Sequence, residues 1–233
     1  MTISRIGISQ SNYIPWIGYF ELISSCDKFV FLESVQYTKN DWRNRNLIRI
    51  NDKPHWLTIP VMTKNSINIP INEVRIADPK WFDKHISTLL HSYSHRKTKR
   101  NLSELLEIIY THELRQIQYL SQVNVRIISL ILKELKINTE LYIYGESDTF
   151  DRNSRVLEIC KRFNATEYIT TTKGTSYLKG DEFNINNIRV SQLDYSKSIG
   201  IKLNYESNPQ QNLSILDSVA HLGLDVLSEM LRK

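Results

Sequence analysis

The positions from Val35 to Asn46 bring Gln36, Tyr37, Trp42, Arg43, Asn44, Arg45 and Asn46 into one short stretch. Guanidinium and carboxamide groups offer forked donors and acceptors that suit planar or anionic ligands, and the rings offer flat faces on which a sugar or base can rest. That density reads as the wall of a binding site; the plainer alternative is an exposed, positively charged loop. Arg43 and Arg45 alternate, so an extended segment would put both on one side and Trp42, Asn44 and Asn46 on the other. Two guanidinium groups on one side suit a diphosphate. The alternative is that they pair with carboxylates of the same domain. A second polar stretch, Gln10-Ser11-Asn12-Tyr13-Ile14-Pro15-Trp16, precedes this one and offers Gln10, Asn12, Tyr13 and Trp16 as contacts.

Chemistry of this kind needs a scaffold that brings two separate stretches together. The chain has 233 residues, enough for one large domain, and its 41% hydrophobic and 24% charged content is that of a globular protein rather than a disordered one. The net charge of +5 is spread along the length, which favours an anionic ligand such as a nucleotide sugar over a dedicated nucleic-acid binder. Cys26 and Cys160 stand among apolar neighbours, indicating neither a disulfide framework nor a cysteine metal site and fitting a reducing cytoplasm. The first residues lack a signal-peptide core, and no apolar run approaches the ~18 residues that span a bilayer.

Ile3 to Ser9 reads as a strand, Pro15 starts a helix with Ile17, Phe20 and Ile23 on its apolar face, and Lys28 to Glu33 reads as a buried parallel strand. In this strand-helix-strand unit both polar stretches leave the carboxyl ends of neighbouring strands, where open α/β sheets bind ligands. The helix start near Trp16 offers amides that could receive a phosphate, although no glycine-rich fingerprint is present. His55 to Val61 predicts an edge strand or strand end because of Pro60. Helical spacing follows from Asp78, through Trp81, His85 and Leu89, Leu102 to Ile109, and Leu120 to Ile131; these helices form an insertion that could cap the crevice.

Strands are expected again at Glu140–Tyr144, Glu167–Thr171 and Ile188–Leu193, with a helix from Arg155 to Phe163. The expected class is therefore α/β, a Rossmann-like, mostly parallel sheet with a helical insertion or cap. Its expected divisions are an N-terminal α/β half (1–77), the helical insertion (78–137) and a C-terminal α/β half (138–233), together one integrated domain. Lys173-Gly174-Thr175-Ser176-Tyr177 follows a strand onto the same edge; Lys173 and Tyr177 are candidate contacts, beside the alternative of a plain turn built on Gly174. Ser214 and Asp217 predict a capping box, with Asp in place of Glu, opening a final helix interrupted by Gly223.

Taken together, these residues resemble the WbqC-like family. The resemblance rests on Gln10 to Phe20, Asp27 to Phe31, Gln36-Tyr37 and Trp42 to Asn46, then Trp56 to Val61, Trp81 with Lys84-His85, and Leu213 to Asp217 with Gly223. Three positions depart from the family's usual residues: Ser11 for proline, Glu33 for aspartate and His221 for asparagine. If Glu33 is a base or ligand, its reach is longer by a methylene. The resemblance implies a cytoplasmic enzyme of O-antigen or other surface-polysaccharide (lipopolysaccharide) biosynthesis that acts on a sugar precursor, with transfer of glycine or another acyl group to an amino sugar as the role proposed for such proteins.

Acyl transfer to a sugar amine needs a base for the amine's proton and donors for the developing oxyanion. Glu33, where desolvation would raise the carboxyl pKa, and His85, one helical turn after Trp81, are the base candidates. Their alternatives are a salt bridge from Glu33 to Arg43 or Arg45 and a packed core or surface histidine. Asn12, Gln36, Asn44, Asn46 and Arg45 are candidates for orienting substrate, with Lys84 beside them through the resemblance. No hydrolase triad or metal site is indicated. The expected partner is a nucleotide-linked amino sugar, with an aminoacyl-tRNA, adenylate or thioester as donor; the sequence does not identify the donor, any other cofactor, or the oligomeric state. A non-catalytic RNA- or tRNA-binding module and a nucleotidyltransferase-like enzyme are the alternative readings.

Overall fold

A computed structural model describes residues 3–62, 69–94, 99–146, 150–176, 178–194 and 213–232. The chain opens with β1 (Arg5–Ser9), α1 (Ile17–Ser24) and β2 (Lys28–Leu32). With β5 (Glu140–Tyr144), β6 (Glu167–Thr170) and β7 (Arg189–Gln192), the first two strands form a fully parallel sheet of order β5-β2-β1-β6-β7. Alternation along the strands divides the apolar residues between two cores. Phe29 and Phe31 face the larger one, while Ile6, Ile8 and Val30 face a smaller one. Helices cover both faces, which is why the strands read as near-continuous apolar runs. Gly7 lies on the crowded face of the central strand, where an added Cβ would come within 2.8 Å of Cys26 Sγ and 2.9 Å of Phe29.

The segment between the two parts of the sheet contains α2 (Trp81–Ser92), α3 (Lys99–Ile109), α4 (His112–Gln116) and α5 (Leu120–Glu134). Its periodic apolar residues, among them Leu105, Ile109, Val123, Ile127 and Ile131, enter the same large core as Phe29 and Phe31. Beyond β5 come α6 (Arg152–Arg162), α7 (Thr172–Thr175) and α8 (Gly180–Ile185), and the small core is closed by Val156, Ile159 and Phe183. Among the described residues no helix is long and apolar enough to cross a membrane.

Two local expectations are corrected. The stretch from Arg45 onward leaves its loop to form β3 (Arg45–Ile50), which pairs antiparallel with β4 (Lys53–Thr58) as a separate two-stranded hairpin. Asn51 and Asp52 turn the hairpin at φ 48° and 58°, the left-handed pair that a two-residue I′ turn requires. At the C-terminal end, Ser214 caps α9 (Ile215–Leu222) by accepting from Leu216 N–H at 3.3 Å, but Asp217 does not complete a capping box. Its carboxylate turns to the hairpin instead and accepts from Arg49 Nε and Tyr93 Oη, each at 3.2 Å. Gly223, at φ 81°, then joins α9 to α10 (Leu224–Leu231).

Candidate functional site

Strand order reverses about β1: β2 and β5 lie to one side, β6 and β7 to the other. Loops that leave β1 and β6 therefore diverge, and the crevice between them is where open α/β sheets take ligands. Ser9 pairs with Phe31, so two residues further on Ser11 meets Glu33. The Ser11 backbone N–H donates to Glu33 Oε1 at 2.7 Å and its hydroxyl to Oε2 at 2.9 Å. Glu33 is 1% exposed. Burial raises its pKa, opposed by the two Ser11 donors and by the charge of Arg43.

Arg43 brings the neighbouring cation. Its guanidinium donates to Asn12 Oδ1 and Gln10 Oε1 and lies 3.6 Å from Asp41. Burial lowers its pKa, with Asp41 the largest opposing influence; an arginine so placed remains charged. Asn124, fully buried on α5, donates to the Arg43 carbonyl at 2.8 Å and to Ser11 Oγ at 3.4 Å, tying the two loops to one helix. Sequence reasoning singled out neither Ser11 nor Asn124 as a site residue. The available signal was an asparagine within the apolar face that carries Val123 and Ile127, since a polar side chain there must find partners.

The two arginines do not share one side of a ribbon. Residues 42–44 form a turn, and only Arg45 enters β3. Arg45 donates to the Asn40 carbonyl and lays its guanidinium 4.1 Å over the Trp56 ring. Asn44 and Asn46 are buried and committed to backbone. Asn44 donates to the Ile59 carbonyl at 3.0 Å, and Asn46 to the carbonyls of Tyr13 at 3.0 Å and Ile14 at 2.8 Å. Asn46 thereby pins a bend at which Ile14 adopts φ 39°, a costly value for a β-branched residue. Asn46→Ala is expected to lose about 2 kcal/mol, because it abandons buried carbonyls at that bend; the shift of the urea midpoint measures it.

Of the other candidates, Tyr13 is buried and its N–H donates to the Trp42 carbonyl at 2.9 Å. Its hydroxyl lies 2.7 Å from His85 Nδ1, while His85 Nε2 lies 3.1 Å from the Thr58 carbonyl. A carbonyl only accepts, so Nε2 carries the proton, Nδ1 accepts from Tyr13, and Tyr110 completes the chain by donating to Tyr13. His85 is thus enclosed beside Trp81, with both nitrogens engaged, and shares no hydrogen bond with the Glu33 group. Lys84 is exposed on the same helix, Gln36 is exposed and bridges to Pro70, and Tyr37 is buried. The Trp16 indole lies across Gly18, covering the first turn of α1, whose amides were considered as a phosphate site. Lys173 belongs to α7, after β6; its side chain, and Tyr177 altogether, lie outside the described residues. Gly174 fits because a Cβ there would fall 1.9 Å from Thr170 Oγ1.

Burial drops the His85 pKa from its ordinary 6.5 to about 4. As pH falls below 6.5 the unfolded chain takes up a proton that the folded protein refuses until about pH 4, so stability declines across that window. From pH 7 to pH 5 this group alone costs about 2 kcal/mol. His85→Gln, which keeps a donor and an acceptor, is expected to flatten the acid limb of urea-derived stability by about that amount.

Fold and site together define an α/β protein with a parallel sheet and with a buried carboxylate and an arginine at the carboxyl edge of β1 and β2. The chain belongs to the WbqC-like protein family, which it matches over residues 10–229. It is also 33% identical over 224 residues, 96% of each chain, to a Mycobacterium tuberculosis protein described as uncharacterized protein Rv1507c. No solved structure matches the chain significantly.

Proposed function

We propose that the protein is a cytoplasmic transferase that acylates or aminoacylates the amine of a nucleotide-linked amino sugar in O-antigen or other surface-polysaccharide biosynthesis. The observation that carries this reading is the pairing, at the carboxyl edge of β1 and β2, of a buried Glu33 held by Ser11 with an Arg43 held by Gln10 and Asn12. In this reading the sugar diphosphate is held by Arg43, whose fork suits phosphate oxygens. Burial makes Glu33 a better proton acceptor than an exposed carboxylate.

The neutral amine attacks the carbonyl carbon of an activated acyl donor, forming the new C–N bond. Its proton passes to Glu33, and the carboxyl returns it to the departing oxygen or sulfur as the bond to the leaving group breaks. Of the two base candidates, Glu33 is the one at the sheet edge. The segments 1–77 and 138–233 then act as the sheet-forming halves, paired directly through β1–β6 and β2–β5, with 78–137 as the helical part that packs on one face of that sheet.

The test is mass spectrometry of UDP- and dTDP-linked amino sugars incubated with the protein and a panel of acyl donors, glycyl-tRNA included. A sugar product heavier by the acyl group is expected. No new product across the panel would refute the reaction.

A further inference from the structure

We infer that Trp56, with Trp42 and Arg45, forms a stacking platform for the base of a nucleoside diphosphate whose phosphates reach Arg43. The inference rests on the proposed anion-binding role of Arg43 and adds the part of the ligand that gives it nucleotide selectivity.

Trp56 is 47% exposed on β4, whereas Trp81 is buried in the core. An indole left half in water forgoes much of the burial that normally places tryptophan inside, so its surroundings decide what it serves. Those surroundings are aromatic and cationic. The Trp42 ring lies 5.3 Å from the Trp56 ring at 50°, and the Arg45 guanidinium sits 4.1 Å over the indole. Leu47 pairs with Trp56 and Arg45 with Thr58, so Arg45 reaches Trp56 along the diagonal of one hairpin face. Among the described residues Arg45 Nε is buried with no hydrogen-bond partner, so this guanidinium is placed by its ring contact as well as by its bond to Asn40.

The platform adjoins the anion site through the chain itself. Trp42 precedes Arg43 in the same turn, and its carbonyl is fixed by the Tyr13 N–H. The buried Tyr37 phenol feels the charges of both Arg45 and Arg43, so the two guanidinium groups lie within electrostatic reach of one ring. A flat aromatic surface beside a fixed cation matches a planar base joined to phosphates. A sugar phosphate without a base would use only the Arg43 part.

The test is isothermal titration calorimetry of the full chain with UDP and, separately, with inorganic pyrophosphate. Trp56→Ala is expected to weaken UDP about 10-fold while leaving pyrophosphate unchanged, because stacking acts on the base alone. Trp56→Phe should restore most of the UDP affinity, and Arg43→Gln should weaken both ligands. Unchanged UDP binding in Trp56→Ala overturns the platform, as does equal loss of both ligands, which would report a disturbed hairpin. A Trp56→Ala variant that binds UDP normally but loses a single-stranded CCA-ended RNA would assign the surface to RNA and also overturn the inference. If Arg43→Gln leaves both affinities intact while Trp56→Ala loses UDP, the platform stands and the anion-binding reading falls. A wild-type protein that binds neither ligand refutes both.

Discussion

Replacing Glu33 with glutamine is expected to lower the proposed acyl transfer by about 10²- to 10⁴-fold, the range associated with loss of a positioned general base. The substitution is close to isosteric, and the site can rearrange around it. The new carboxamide oxygen accepts from the Ser11 N–H and its NH₂ donates to Ser11 Oγ, a hydroxyl that both gives and takes hydrogen bonds. Activity should therefore fall without loss of fold. The sign of the pH effect separates the two. Burial raises the Glu33 pKa, so ionising it in the folded protein costs stability once pH exceeds the ordinary carboxyl value of 4.5. Glutamine removes that cost, and the variant's stability relative to wild type should improve as pH rises through the window above 4.5. Steady-state rates and urea unfolding at matched pH check both parts. Retained activity would exclude Glu33 as the base.

Asp217→Ala is expected to lose about 3–5 kcal/mol, a large share of the roughly 5–15 kcal/mol that stabilises a domain. Asp217 is fully buried and joins three elements: Arg49 on the hairpin, Tyr93 at the end of α2, and its own helix α9. The His221 ring, 3.6 Å from Oδ2, donates to the Asp217 backbone carbonyl at 2.7 Å. Alanine would remove the carboxylate from a guanidinium that is 11% exposed, and the desolvation of that charge would remain. Tyr93, whose pKa is pushed well up by burial and by Asp217, would lose its acceptor as well. The urea midpoint should fall with little change in slope. Arg49→Met combined with Asp217→Ala should recover part of the loss, because the stranded charge is gone. A loss below 1 kcal/mol would show that the pair does not anchor the hairpin. Since Arg49 and the Arg43 turn belong to the same hairpin arm, ligand binding should weaken together with the fold.

These outcomes separate what a linear reading reaches from what it does not. The strand-helix-strand opening, the later strands at Glu140, Glu167 and Arg189, and the helical faces of Leu102–Ile109 and Leu120–Ile131 were legible because periods of 2 and 3.6 are local properties of the chain. The placement of both polar stretches at the sheet's carboxyl edge followed from that order. The hairpin was not legible, although Asn51-Asp52 carries a turn signal, because β3 begins inside the polar stretch from Val35 to Asn46, where residue types alone read as a loop.

Residue types alone determined that Gln10, Asn12, Glu33 and Arg43 could build a polar site, and that the chain carries the WbqC-like motifs. Tertiary structure decided how each polar group is used. Asn44 and Asn46 hold loop backbone, His85 is sealed beneath Tyr13, and Arg43 and Arg45 part company at a turn. The physical reason is the reach of hydrogen bonding. Ser11 meets Glu33 across 22 positions and Asn124 across 113, and a buried polar group takes whichever partner the packed core brings within about 3 Å.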